Sequence, residues 1–229
     1  LVATLPLVHP VPGVLAGYGR WAVTWLKSHG EFIFVGEGRN ATLAVSEMPN
    51  GTRNYHNAGK VQASSTPEDM RLQRMLGHIT TLVARDPKNV LVIGCGAGVT
   101  AGAVSINPDV QTQTIAEIEP LVPRVVSTYF KAENHAVIQN PKVTVHLDDA
   151  RHFLLTTHEK FDAITADPFD VWVKGSANLN TLEFYQEMKK HLNPGGVVTA
   201  WVAFYETDSA AFKSEIATFM PANRSYPSR

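Results

Sequence analysis

The sequence predicts an α/β protein with a mostly parallel sheet, preceded by a small antiparallel β-domain, and three observations carry that expectation. After Pro87, five short apolar runs alternate with segments of helical length. The first run is followed at once by a glycine loop, Gly94-Cys95-Gly96-Ala97-Gly98. Upstream, residues 31–56 break into strand-like pieces separated by turn residues. The 229 residues, 25.1 kDa in all, are ample for a core. A single cysteine excludes an internal disulfide, so nothing argues for an oxidising compartment and the cytoplasm is the compartment expected. Twenty basic and twenty-one acidic side chains argue against a nucleic-acid partner held by bulk charge. No run of about 18 apolar residues is present to span a bilayer, because Pro6, His9, Pro10 and Pro12 interrupt the most apolar stretch.

In chain order, residues 1–30 read as an apolar, Pro/Gly-rich arm of irregular structure packed against something else. Residues 31–66 form the small β-domain, with strands at 31–35, 42–47 and 53–56 and a turn at Pro49-Asn50-Gly51. Residues 67–229 form the larger domain. Thr66-Pro67-Glu68-Asp69 supplies an N-cap, a proline at the first helical position and acidic residues in the first turn. Met70, Leu72, Met75, Leu76, Ile79, Leu82 and Val83 come next at helical spacing and predict a buried face on a helix that Pro87 ends. The apolar runs at 90–93, 114–118, 143–147, 163–166 and 197–201 predict strands. Helices are expected at 100–106, 121–130, 150–156, 182–191 and 209–220. Such a sheet binds ligands beyond the carboxyl ends of its strands, which confines the search for chemistry to five loops.

In the first loop, Gly94, Gly96 and Gly98 let the backbone turn tightly and let a ligand approach without a Cβ in the way. Glycines also end strands for steric reasons, so the loop gains weight from an acidic residue downstream. Glu117 ends the next run, nineteen residues beyond Gly98, near the spacing at which an acid accepts two ribose hydroxyls. The pattern GxGxG, rather than GxGxxG, favours a nucleoside or adenosyl-sulfonium ligand over a dinucleotide. The third run leads into Asp148-Asp149-Ala150, where Asp149 suits both a helix cap and acceptance from an adenine amine. The fourth leads into Asp167-Pro168-Phe169-Asp170, two carboxylates three apart that suit holding an amine and removing its proton. An Asp-Pro turn in solvent would have the same composition. Cys95 reads as packing beneath the loop, and the nine histidines form no HxH or HExxH spacing, so no metal is assigned. The Asn-x-Ser/Thr tripeptides at Asn40, Asn50 and Asn223 are of a kind that arises often by chance.

These loops together resemble the spermidine synthase family of polyamine aminopropyltransferases, especially the spermidine-synthase-like modules of membrane-fused bacterial proteins. The resemblance covers about residues 31–220 and is strongest at 57–62, 90–98, 116–119, 161–167, 182–185 and 192–197. It implies an AdoMet-methyltransferase-like Rossmann domain behind the small β-domain. The activity implied is transfer of an aminopropyl group from decarboxylated S-adenosylmethionine to putrescine, leaving methylthioadenosine. By position, Gln62 would lie on the nucleoside side, Glu117 would hold the ribose, Asp149 with Ala150 the adenine amine, and Asp167 would deprotonate the attacking amine with Asp170 as second carboxylate. Three departures stand out. Ala97 replaces the acid that binds the aminopropyl ammonium, Leu72-Gln73-Arg74 replaces a Tyr-His-Glu signature, and Asn180 replaces an aromatic.

Matches and departures together leave three functions. One is aminopropyl transfer to a polyamine. A second is an N-methyltransferase using intact S-adenosylmethionine, for which Ala97 leaves room. A third is an inactive subunit of a larger complex, membrane-associated through a partner or a further N-terminal segment. The related domains finish with two more strands, whereas here only residues 221–229 come after the last helix. With Leu1 at the start, this predicts a fragment of a longer chain, an oligomer or a subunit completed by neighbours, with 197–201 as an exposed edge.

Overall fold

The computed structural model describes residues 11–167, 175–202 and 208–223. The chain divides into two compact units, Leu1–Asp69 and Met70–Arg229.

The first unit is a four-stranded antiparallel sheet in sequential order: β1 (Glu31–Glu37), β2 (Thr42–Glu47), β3 (Arg53–Asn57) and β4 (Lys60–Ser64). β4 adds a strand beyond the expected meander. Its hairpin turns at Ala58-Gly59, with φ of 54° and 75°, the left-handed pair of a type I′ turn. Alanine is an unusual first residue for that turn, which is why composition does not signal it.

The arm is not irregular where it is described. It folds into α1 (Gly13–Tyr18), a 3-10 turn (Gly19–Trp21) and α2 (Ala22–Trp25), and α1 packs on this sheet. A Cβ on Gly13 or Gly17 would collide with the Phe32 ring, so these glycines let the helix lie close. His56 locks the contact. Its Nδ1–H donates to the Gly17 carbonyl at 3.0 Å, which leaves Nε2 to accept from Ser46 Oγ at 2.8 Å. Burial holds the His56 pKa down at about 4, against the pull of the Gly17 bond, so the ring is neutral.

The second unit carries a five-stranded, wholly parallel sheet: β5 (Asn89–Ile93), β6 (Thr112–Glu117), β7 (Val143–Leu147), β8 (Phe161–Ala166) and β9 (Leu192–Ala200), in the order β7-β6-β5-β8-β9. The helices are α3 (Pro67–Val83), α4 (Val99–Ser105), α5 (Leu121–Tyr129), α6 (Ala150–Thr156), α7 (Leu182–Lys190) and α8 (Ser209–Asn223). Alternation along the strands serves two faces: Leu91, Ile93 and Ile164 join Phe153, Leu154, Phe184 and Met188 of α6 and α7 in one core cluster. β9 begins earlier than expected, because a bulge opposite Phe161–Ala163 absorbs the Asn193–Gly196 stretch. Among the described residues β9 is an edge of the sheet.

α3 corrects an expectation. Of the residues assigned to its buried face only Met70 is buried, while Met75, Ile79, Leu82 and Val83 are exposed, Leu82 to 76%. The buried side instead carries Gln73, Gly77, Thr80 and Thr81. Gly77, Thr80 and Thr81 are small or hydroxylic where helices approach closely, and Gln73 adds a buried amide. A Cβ on Gly77 would crowd Thr100 O and Ala103 Cβ of α4, and Thr80 Oγ1 lies 2.5 Å from Thr199 Oγ1 of β9.

Candidate functional site

Strand order reverses at β5, whose neighbours are β6, which comes directly after it in sequence, and β8, reached only after β7. This is the switch point where an open parallel sheet leaves a crevice. The registers align the strand ends there: Ile93 is opposite Ala116 on one side and Ala166 on the other. The next residue on each strand is therefore Glu117, Gly94 and Asp167. Two inter-strand spacings separate the outer pair, about 10 Å of backbone.

Gly94, Gly96 and Gly98 all have left-handed φ, at 79°, 51° and 81°. They are not equivalent. A Cβ on Gly94 or Gly96 would meet no described atom within 4 Å, whereas one on Gly98 would lie 2.9 Å from Asn134 Nδ2. The first two leave backbone open to a ligand, and the third makes room for a buried side chain. Cys95 is buried in this loop, and burial pushes its thiol well up, with the Glu117 charge adding to the effect, as fits packing rather than nucleophilic use.

Glu117 is 7% exposed. Its Oε2 accepts from Cys95 N at 2.8 Å and its Oε1 from Glu119 N at 2.8 Å. Burial raises its pKa above the ordinary carboxylate range, and those amides pull the other way. Cys95 N of the glycine loop and the amides just after Glu117 thus fix the carboxylate, which sits at the strand end beside Gly94.

Asp149 is the N-cap of α6, with Oδ1 accepting from Arg151 N at 2.7 Å; it is exposed, with Ala150 buried behind it. Neighbouring Asp148 accepts from Asp149 N at 2.8 Å and from His152 Nδ1, with His146 Nε2 3.9 Å away. The His152 bond holds the Asp148 pKa down and, in turn, raises that of His152. Asp167, half-buried at the end of β8, is reached by Thr100 Oγ1 at 3.5 Å, the same hydroxyl that lies 3.2 Å from Gln73 O. Asp170 lies outside the described residues.

The structure thus brings Gly94, Gly96, Glu117 and Asp167 to one edge at the switch point, with Asp149 and Ala150 at the end of β7, two strands from β5. Gln62 belongs to the first unit, on β4, where its Nε2 lies 3.4 Å from Asn57 O. Ala97 is buried. Arg74 Nη2 donates to Glu133 O at 3.3 Å, and Asn180 Oδ1 accepts from Tyr185 OH at 2.8 Å. Thr100 and Asn134 were not expected from sequence; Thr100 stands just after the glycine loop, which was a usable signal, and Asn134 has none. Among the described residues no group of three or more His, Cys, Asp or Glu could hold a metal, and no helix is long and apolar enough to cross a membrane.

Comparison with known proteins agrees with this geometry. A family model for the spermine/spermidine synthase domain matches residues 69–222. Polyamine aminopropyltransferases of Enterobacter sp. (strain 638) and Salmonella newport (strain SL254) are each 33% identical over 154 residues, which is 66% of this chain and 53% of the relative. The chain therefore spans about half the length of these curated relatives. A spermidine synthase solved in complex with the transition state analogue AdoDATO superposes with a TM-score of 0.77 at 23% identity, over 83% of this chain and 64% of that one. The spermidine synthase from Thermotoga maritima gives 0.74 at 24% identity, over the same shares, and both likenesses establish the fold.

Proposed function

The chain belongs to the spermine/spermidine synthase family, and from that premise we propose that it is an aminopropyltransferase module acting on decarboxylated S-adenosylmethionine and a polyamine such as putrescine. One observation supports this above the others: adjacent strand ends present Glu117, the Gly94 backbone and Asp167 in a single row. A nucleoside with its ribose hydroxyls donating to Glu117 would lie along the open side of Gly94 and Gly96. Its adenine amine would donate to Asp149 above Ala150, whose small buried side chain leaves the loop low. Gln62 is given its nucleoside-side role by the resemblance alone.

In the transfer, the acceptor nitrogen's lone pair attacks the aminopropyl carbon attached to sulfur. The C–S bond breaks, its electron pair stays on sulfur, and the thioether methylthioadenosine leaves. The attacking lone pair is freed when the acceptor's ammonium gives a proton to Asp167, with Asp170 as the second carboxylate for the amine, and the product leaves as a secondary ammonium. Mixing the protein with decarboxylated S-adenosylmethionine and putrescine is expected to yield methylthioadenosine and spermidine. S-adenosylhomocysteine formed from intact S-adenosylmethionine would instead establish methyl transfer, and no binding of any of these nucleosides would leave the non-enzymatic subunit. We extend the proposal to the setting: the cytoplasm, the compartment expected of the polyamine reaction proposed, and assembly as an oligomer or as a subunit with a membrane-bound partner, since Trp21, Val23 and Leu26 expose apolar surface.

A further inference from the structure

Asn134 lies beyond α5 in a segment that no motif marks. It is fully buried, and its Nδ2 donates to Ala97 O at 3.1 Å and to Val126 O at 3.2 Å. Ala97 stands between Gly96, whose Cβ position is open, and Gly98, whose is not. The asparagine therefore grips the nucleoside loop from behind while the loop's other side stays free.

Four unfavourable features gather at this residue, two at its side chain and two at its backbone. Gly98 must remain a glycine, since a Cβ there would press on Asn134 Nδ2. Gly102 must as well, since a Cβ would collide with the Asn134 backbone, although glycine inside a helix is less favourable than alanine. The next two residues, His135 and Ala136, are both left-handed, with φ of 56° and 52°, a conformation disfavoured for residues with a Cβ. Asn134 Oδ1 is buried without a hydrogen-bond partner. An apolar residue of similar size would fill this core position without the last cost. What it could not do is donate to the Ala97 carbonyl.

We propose that Asn134 is a positioning residue for nucleoside binding: by holding the Ala97 carbonyl it keeps Gly94 and Gly96 turned to the ligand and keeps the Cys95 amide on Glu117. This rests on the nucleoside reading of the loop. The loop's own bonds report its state, because Gly98 N donates to Cys95 O at 2.8 Å and Cys95 N donates to Glu117 at 2.8 Å.

The test compares wild type with Asn134→Ala, which removes both donors, and Asn134→Asp, which between two carbonyls stays protonated and keeps one. Amide hydrogen exchange of the ligand-free proteins is measured at Cys95 and Gly98 and at β9, and affinity for methylthioadenosine is measured by calorimetry. The alanine variant is expected to exchange about 10-fold faster at the two loop amides with β9 unchanged, and to bind about 10-fold more weakly, with aspartate intermediate on both scales. Equal acceleration in β9 would reduce Asn134 to a core residue and overturn the proposal, as would loop exchange and affinity equal to wild type. If the alanine variant does not fold, the aspartate variant carries the same comparison. If wild type binds no nucleoside, the functional reading fails, and loop exchange alone decides the role of Asn134.

Discussion

Each unit buries an ionisable side chain held by hydrogen bonds, His56 in the antiparallel sheet and Glu117 in the parallel one, and the two are placed very differently. His56 spends both ring nitrogens inside the protein, on Gly17 and Ser46, and nothing is left to offer a ligand. Glu117 accepts from Cys95 N of the glycine loop and from Glu119 N just beyond its own strand, and its place at a strand end next to Gly94 sets it at the rim of the crevice. Burial and a shifted pKa are common to both. What separates them is place: Glu117 stands at the carboxyl edge of a parallel sheet, next to the open backbone of Gly94.

The largest expected effect that tests this contrast is at Asp167. Asp167→Asn should lower turnover by about 10²- to 10⁴-fold while methylthioadenosine still binds, measured as product formation against calorimetric affinity. Unchanged turnover would remove Asp167 as the base.

Next comes acid. The folded pKa of His56 lies near 4 against 6.5 in the unfolded chain, so between these values the unfolded chain holds more protons and acid destabilises the fold. The loss from pH 6.5 to 4 should reach about 3 kcal/mol, read as a fall in the first unit's Tm. His56→Gln, which keeps a donor and cannot titrate, should flatten that dependence, and an equally steep fall in the variant would show that other groups cause it. Glu117 titrates with the same direction of effect on binding. Ribose hydroxyls need its ionised form as acceptor, so affinity should be full above its raised pKa and fall on acidification through it.

The smallest effect belongs to Asp148, just after β7, and His152 on α6. Asp148 is depressed, so its contribution is present above the ordinary carboxylate pKa and lost as pH falls through its lowered value. His152 is raised, so its contribution is present below the ordinary imidazole pKa and lost as pH rises through its raised value. Both operate between those two ordinary values. His152→Ala should change the Tm only slightly there and not at all at alkaline pH; a large change at every pH would mean that the ring packs rather than pairs.

The parallel sheet was legible because each strand is a short apolar run and each connection has helical length, so two periodicities agree. Glu117 and Asp167 were legible for the same reason: a strand end fixes where its next residue goes. The burial of α3 was not, because apolar spacing describes a stripe and says nothing of what faces it. Gly77, Thr80 and Thr81 are buried where close approach to α4 and β9 favours small or hydroxyl-bearing residues. Asn134 was illegible for a further reason, since its value lies in a contact 37 residues away with a backbone carbonyl, which leaves no pattern in sequence.

The central claim is that the row formed by Glu117, Gly94 and Asp167 receives a nucleoside, and calorimetric titration of methylthioadenosine into wild type and Glu117→Ala tests it most directly. Wild type should bind, and the variant, deprived of two charge-assisted bonds, should bind about 100-fold more weakly with an unchanged fold. Equal affinity in the two proteins, or none in wild type, would contradict the claim.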